Sequence, residues 1–177
     1  MKSKVISISA IASAFVAICL TIGAYIEFAD LFVIVISSAF VILPFYYKSY
    51  KGCVLAYLCG GVLAFLLSGF NVFSVVFPSY FAFFGLYPII RQICVDKRLN
   101  KFLYFAIGLV WFVATVYGMF FYYTLVMGEL FSDLPEFILK NVLWILPIVA
   151  VIVFFIYERF VFVVRAFTDR YLGRIIK

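Results

Sequence analysis

The feature that most constrains this chain is a series of long stretches that contain no charged residue. The first is Val5–Ile26, which lies between Lys4 and Glu27. In all, the 177 residues hold six such apolar stretches, at positions 5–26, 31–47, 52–68, 72–90, 102–127 and 141–157. Each has roughly the 17 to 25 residues with which a helix crosses a hydrocarbon core about 30 Å thick. The pattern therefore predicts a chain that crosses a membrane several times.

The composition favours the same fold class, with 68% hydrophobic residues, 12% charged residues and a mean hydropathy of +1.24. A soluble domain is roughly half apolar, so the excess apolar surface must face lipid or other membrane subunits. Lipid leaves only helices or a closed barrel as spanning structures, and a barrel would alternate in polarity. The apolar runs here are continuous, as in Val142–Phe155. We expect an all-α, six-transmembrane-helix bundle that forms one membrane domain, residues 1–177.

Lysine and arginine predict the orientation, because short cytoplasmic loops are enriched in them. With the amino terminus inside and six crossings, the 14 basic residues divide into 13 inside and 1 outside. The inside residues are Lys2, Lys4, Lys48, Lys51, Arg91, Lys97, Arg98, Lys101, Arg159, Arg165, Arg170, Arg174 and Lys177. The outside holds Lys140 and the acids Glu27, Asp30, Glu129, Asp133 and Glu136. We therefore expect both termini in the cytoplasm.

The last 20 residues combine charged and apolar side chains. Charged residues recur between apolar ones through positions 158–177. We expect this segment to be an amphipathic cytoplasmic extension of the last helix, with cations that reach toward anionic lipid headgroups. The net charge of +6 is then mostly flanking charge at the cytoplasmic face.

Several function classes are disfavoured by what the sequence lacks. The chain has no histidine, which removes the commonest metal ligand and the commonest general base. Its four cysteines form no CxxC pair and give no support for a metal site or a disulfide framework. The cations are scattered at helix ends and form no separate nucleic-acid-binding module. We expect no enzymatic activity, no cofactor, no metal and no nucleic-acid partner.

Small residues mark places where helices can approach one another closely. Ala10 and Ala14 stack on one face of the first helix, and Gly60 and Gly61 lie in the third. The alanine pair has two interpretations, which are packing inside this bundle and docking of another membrane subunit. Pro78 interrupts the fourth stretch near Ser74, Ser79 and Tyr80, as a plain kink or as part of a cavity wall.

Polar and aromatic residues gather near the predicted outer ends of the helices. Asn71 and Asn141 can satisfy the polar edge of a ligand, while rings such as those of Tyr123 and Trp144 can stack on its flat face. The alternative is an ordinary interfacial role, since tyrosine and tryptophan are enriched at membrane surfaces.

Taken together, these features resemble the S component of energy-coupling-factor transporters, the substrate-binding membrane subunit of bacterial vitamin and micronutrient importers. The resemblance rests on six short helices, on the Ala10/Ala14 pair, and on a glycine-containing third helix that ends in LLSG before the fourth. It implies that Ala10 and Ala14 dock a transmembrane coupling subunit and that cytosolic ATPases supply the energy. It also implies an outward pocket for a small molecule such as a vitamin. The residues that it places at this pocket are Asn71, Tyr123, Asn141 and Trp144.

A second resemblance is closer in detail and brings no known activity. The stretch FFGLYPIIR, from Phe83 to Arg91, and the later FFIYERF around Tyr157 are similar to an uncharacterised group of small bacterial membrane proteins. Both resemblances imply a multi-pass protein of the bacterial cell membrane. The competing functions are a structural or assembly protein without transport activity, and a membrane enzyme. The enzyme would need polar residues such as Glu158, Arg159 and Asp133 to cluster.

Overall fold

The computed structural model describes residues 2–71, 74–126 and 136–175, and in these ranges all regular structure is helical. The α-helices are α1 (Lys2–Tyr25), α2 (Asp30–Val41), α3 (Tyr50–Leu67), α4 (Val76–Ser79), α5 (Tyr87–Asp96), α6 (Lys101–Val126) and α7 (Glu136–Ile175). Short 3₁₀ turns at Glu27–Ala29 and Leu43–Tyr47 flank α2, and a π-helical turn at Tyr80–Phe84 follows α4. The all-α prediction is confirmed. Glu129 and Asp133 lie outside the described residues.

Five of the described helices are long and apolar enough to cross a membrane. They cover Ser3–Tyr25, Asp30–Tyr47, Tyr50–Leu67, Lys101–Leu125 and Asn141–Thr168. A soluble fold would bury such segments, yet between 11% and 44% of their most apolar windows is buried. The described helices therefore support a multi-pass membrane protein, and the apolar surface left outside is the surface that lipid would cover.

The fourth predicted stretch, 72–90, is not one regular helix. Its described part divides into α4, the π-helical turn and α5, and the helical path continues to Asp96 instead of ending near Ile90. Six uninterrupted spanning helices are therefore not found among the described residues. The cause is local, because the turn widens at Gly85 and Pro88 then enters the first turn of α5.

Two tyrosines from neighbouring helices compensate for these interruptions. The Gly85 amide donates to the Tyr80 carbonyl, five residues back, at 2.9 Å, so the Phe81 carbonyl loses that donor. Tyr57 Oη of α3 donates to the Phe81 carbonyl at 3.0 Å. An unpaired carbonyl in an apolar interior is costly, so this bond holds the broken segment against α3.

The second interruption, at Pro88, is also compensated by a tyrosine hydroxyl, in this case from α7. Pro88 has no amide hydrogen, so it cannot donate to the carbonyl of Phe84, four residues back. Tyr157 Oη of α7 donates to that carbonyl at 3.1 Å. The broken segment is thus fixed between α3 and α7 by side-chain donors.

The contact between α1 and α3 is the most extensive of any described helix pair. A Cβ atom on Gly60 would lie 2.6 Å from Val16 Cγ1 and 3.1 Å from the Ser13 carbonyl oxygen. On Gly61 it would lie 2.6 Å from Phe81 Cζ. Both glycines are therefore close-approach positions, as the sequence predicts. Small residues of this kind let membrane helices gain dispersion contact along their backbones.

One end of the bundle collects the cations, and we call it the cationic end. Tyr50, at the start of α3, donates its hydroxyl to Asp96 at the end of α5. The guanidinium carbon of Arg165 in α7 lies 5.7 Å from the ring centre of Phe45. Ser9 of α1 packs beside Gly52, two residues beyond Tyr50. The basic residues near these contacts are Lys4, Lys48, Lys51, Lys97, Arg98 and Lys101.

The opposite end is defined by Asp30, and we call it the Asp30 end. Asp30 shares one cavity wall with Val75, Met119 and Leu146. The segment from Val75 to Asp96 therefore runs from the Asp30 end to the cationic end, although it is not a regular helix throughout. Consecutive long elements alternate in direction between these two ends.

Helix α7 is continuous from Glu136 to Ile175, and its 40 residues extend about 60 Å at about 1.5 Å per residue. The segment predicted as a tail after Tyr157 is part of this same helix in the described range. Val161 and Thr168 remain buried, so α7 keeps packing against the protein well past Tyr157.

Candidate functional site

An apolar cavity of about 240 Å³ lies toward the Asp30 end. Its wall is built by α2, α4, α6 and α7, together with Phe84 of the π-helical turn. The polar residues in this wall are Asp30, Ser79 and Thr115. Binding pockets for small molecules commonly combine such an apolar wall with a few polar groups that orient the ligand.

The local structure positions each polar group of the cavity. Asp30 is the first residue of α2, where a carboxylate is stabilised by the helix dipole. Ser79 is the last residue of α4, just before the π-helical turn. Thr115 Oγ1 donates to the Trp111 carbonyl at 2.9 Å, so its hydroxyl hydrogen is already used within α6. Asp30 is the charged residue of this wall, and its carboxylate favours a cationic or hydrogen-donating atom of a ligand.

The four residues predicted for substrate binding lie toward the Asp30 end, and none of them is part of the cavity wall. Tyr123 is close enough to Asp30 and Tyr122 for electrostatic interaction. Trp144 is 78% exposed and points away from the bundle. Asn71 and Asn141 are half-buried, just after α3 and in α7. The polar pattern did not indicate the wall residues themselves, because most of them are apolar and look like ordinary membrane-helix residues.

Ala10 and Ala14, predicted to dock another subunit, both lie on the exposed side of α1. The residues that face α3 are instead their neighbours Ser9, Ser13 and Val16. The exposed side also carries Ser3 and Ser7, so small residues recur there at positions 3, 7, 10 and 14. We call these four residues the small-residue face of α1. Ala10 and Ala14 are therefore not covered by the described helices, and their docking role stays a prediction.

A buried ion pair is the feature that sequence reasoning missed. Arg91 Nε donates to Glu158 Oε1 at 2.7 Å, and Tyr87 Oη donates to Glu158 Oε2 at 2.7 Å. The side chains of Arg91 and Glu158 are 8% and 13% exposed, although their positions in the sequence suggest flanking charges. Tyr87 and Arg91 are one turn apart in YPIIR, a spacing that could have indicated a shared partner.

Of the three residues predicted to cluster in a membrane enzyme, Glu158 and Arg159 are described, and Asp133 lies outside the described residues. Arg159 is exposed, whereas Glu158 is engaged by Arg91 and Tyr87. In the described part of the chain, no group of three potential ligands from cysteine, aspartate and glutamate is placed to hold a metal ion.

Comparison with known proteins gives no neighbour for this chain. No protein-family model, no curated protein and no solved structure matches it significantly. What supports a function is therefore the geometry of the chain itself, namely the apolar cavity, the small-residue face of α1 and the charged groups at the cationic end.

Proposed function

We propose that this protein is the substrate-binding membrane subunit of an importer, of the S-component type found in energy-coupling-factor transporters. The observation that carries the proposal is the apolar cavity beside Asp30, walled by the second, fourth, fifth and sixth apolar segments of the chain. A filled bundle would instead favour a purely structural role. The ligand is a small molecule, vitamin-like in size, that enters from the side of the Asp30 end.

The cavity wall indicates the chemistry of the ligand. A largely apolar body would contact Phe84, Phe112 and Met119, while a cationic or hydrogen-donating group would meet Asp30. A volume of about 240 Å³ is below the range of typical small-molecule sites, which begins at about 300 Å³. The proposed ligand is therefore compact.

The small-residue face of α1 is the proposed docking surface for a transmembrane coupling subunit. Ala10 and Ala14 leave room for a second helix to approach, and membrane helices associate by such close van der Waals contact. Cytosolic ATPases bound to the coupling subunit would supply the energy. The proposed location is the bacterial cell membrane.

The first experiment tests the cavity directly. The protein is purified in mild detergent, and small molecules released on denaturation are identified by mass spectrometry. The variant Val116→Trp places a large side chain in the cavity wall and should fill the cavity. The control is Val110→Trp, because Val110 is on the same helix and is 69% exposed. We expect a bound metabolite that Val116→Trp reduces at least about tenfold and Val110→Trp retains. An empty wild-type protein, or equal retention by both variants, would contradict the proposal.

The second experiment tests docking. Ala10→Phe combined with Ala14→Phe should abolish recovery of the coupling subunit and ATPases without loss of the bound metabolite. The matched control replaces Ala106 and Ala114, two exposed alanines of α6, with phenylalanine. Unchanged recovery of partners in the α1 variant would exclude this mechanism.

The alternative function is a structural or assembly protein, which shares the exposed face of α1 and makes no use of the cavity. It predicts a stable membrane partner in the absence of any small molecule. Loss of the partner in the α1 variant, together with full partner recovery and no metabolite in wild type, would favour assembly over transport.

A further inference from the structure

A second recess lies at the cationic end, between α5, α6 and α7. It encloses about 690 Å³ and shares no residue with the apolar cavity, so a role for this recess is independent of the proposed function. We call it the cationic cleft. Its charged residues are Arg91, Asp96, Lys101, Glu158, Arg159 and Arg165. Four cations against two acids leave a net charge of +2 in the wall.

The three helices present their cleft residues from single faces. On α7, residues 155, 158, 159, 162 and 165 follow the spacing of one helix face. On α5 the cleft takes positions 91, 92, 95 and 96, and on α6 positions 101, 104 and 105. Such convergence from three elements distinguishes the cleft from cations scattered along a surface.

Both acids of the cleft already accept hydrogen bonds from within the protein. The two carboxylate oxygens of Glu158 accept from Arg91 and Tyr87, each at 2.7 Å. Those of Asp96 accept from Tyr50 and from Gln92 Nε2, the latter at 2.9 Å. Glu158 is paired with Arg91, and Asp96 accepts from the neutral groups of Tyr50 and Gln92. Neither acid forms an ion pair with Lys101 or Arg159 in the described part of the chain, so these two cations are available to an external anion.

An apolar surface adjoins the charges. Phe105, Phe155 and Phe162 belong to the cleft wall, and Phe155 and Phe162 are 52% and 57% exposed. Because α6 and α7 are candidate membrane spans, an acyl chain can follow these rings from the lipid into the cleft. A free inorganic anion would gain no favourable contact from this apolar part of the wall.

We propose that the cationic cleft binds the phosphate group of an anionic phospholipid, with Lys101 and Arg159 as phosphate ligands. Arginine offers a planar fork of donors that matches phosphate oxygens, and lysine adds a compact positive charge. The lipid chain lies against Phe155 and Phe162. The Arg91–Glu158 ion pair forms the floor of the site and holds α5 against α7.

The test measures lipid retention by native mass spectrometry of the full chain, purified from mixed micelles of phosphatidylglycerol and phosphatidylcholine. We expect the wild-type protein to retain phosphatidylglycerol over phosphatidylcholine. The cleft variant Lys101→Gln/Arg159→Gln should weaken this preference at least about tenfold. The control Lys51→Gln/Arg98→Gln removes the same charge from exposed positions at the same end, outside the cleft, and should keep the preference.

Three outcomes decide the proposal. Selective loss in the cleft variant supports it, provided that the melting temperature in detergent stays within a few degrees of wild type. An equal loss in the control variant would overturn it, because general surface charge would then explain retention. Binding of inorganic phosphate or glycerol 3-phosphate that depends on Lys101 and Arg159, without selective lipid retention, would assign the cleft to soluble phosphate compounds and overturn the lipid source.

Discussion

At the residue scale, the Arg91–Glu158 pair is the group whose environment departs most from sequence expectation. A charge inside an apolar bundle is costly, and it is tolerated when a partner of opposite charge and further donors surround it. Here Tyr87 donates a second hydrogen bond to the Glu158 carboxylate. The pair therefore fixes α5 to α7, and each partner depends on the other.

We predict that Glu158→Gln destabilises the protein by about 3 kcal/mol, because it leaves the positive charge of Arg91 buried without its counter-charge. Unfolding in dodecyl sulfate, followed by the fluorescence of Trp111 in the bundle, measures the change. Arg98→Gln, an exposed charge removal at the same end, should change the free energy of unfolding by less than about 0.5 kcal/mol. The double variant Arg91→Met/Glu158→Met should recover most of the loss, and an equally unstable double variant would contradict the prediction.

At the element scale, the broken segment from Val76 to Asp96 depends on side chains of other helices. Its π-helical turn and Pro88 each deprive a carbonyl of its usual donor, and Tyr57 and Tyr157 replace those donors. The segment thus keeps an irregular backbone at a depth where water is scarce. Such irregularity is tolerated in membranes only where the protein itself covers it.

We predict that Tyr157→Phe destabilises the bundle by about 1–2 kcal/mol, because the Phe84 carbonyl then lacks a donor. Adding Pro88→Ala should restore much of this loss by supplying a backbone amide to the same carbonyl. The dodecyl sulfate titration measures both, with Tyr25→Phe at an exposed site as the control. Absence of rescue by Pro88→Ala would show that Tyr157 acts through ring packing instead.

The seam between α1 and α3 makes a second prediction at this scale. Gly60→Ala places a methyl group against Val16 and the Ser13 carbonyl and should cost about 1–3 kcal/mol, as overpacking does. Gly118→Ala in α6 meets no atom within 4 Å, so we expect it to be neutral or stabilising by up to about 1 kcal/mol. Melting temperatures in detergent compare the two variants. Equal effects would contradict the interpretation of Gly60 as a close-approach position.

At the scale of the whole molecule, charge separates the two ends. The cations gather around the start of α3, the turn between α5 and α6, and the second half of α7, whereas Asp30 marks the opposite end. Ser9 of α1 lies beside the start of α3, and Arg165 of α7 lies over Phe45 in the turn Leu43–Tyr47. The beginning of α1 and the second half of α7 are therefore at the same end of the bundle. From the positive-inside rule we predict six crossings with both termini in the cytoplasm.

We predict this topology for single-cysteine variants made in a background without Cys19, Cys53, Cys59 and Cys94. Phe70→Cys, in the turn after α3, should react with a membrane-impermeant maleimide in intact cells. Leu99→Cys, in the turn between α5 and α6, should react only after the membrane is opened. Both side chains are exposed on the protein, at 60% and 48%, so packing against other helices would not block the reaction. The reverse pattern would invert the proposed orientation.

The sequence by itself determined the all-α fold class and the order of the apolar segments, although not a bundle of six uninterrupted helices. It also indicated which charged segments lie at one end. These properties are local, because the length of an uncharged stretch and the charges that flank it decide whether that stretch crosses a membrane. The close-approach role of the α3 glycines could also be predicted from the sequence, since a residue without a side chain lets another helix come near.

Only the tertiary structure decided which faces meet. Ala10 and Ala14 could not be assigned to the outside of α1 from their spacing, because spacing defines a face and not its neighbour. The partnership of Arg91 with Glu158, the tyrosines that serve the carbonyls of Phe81 and Phe84, and the wall of the apolar cavity all join residues far apart in sequence. Such contacts depend on how helices assemble against one another, and no single segment of the chain encodes them.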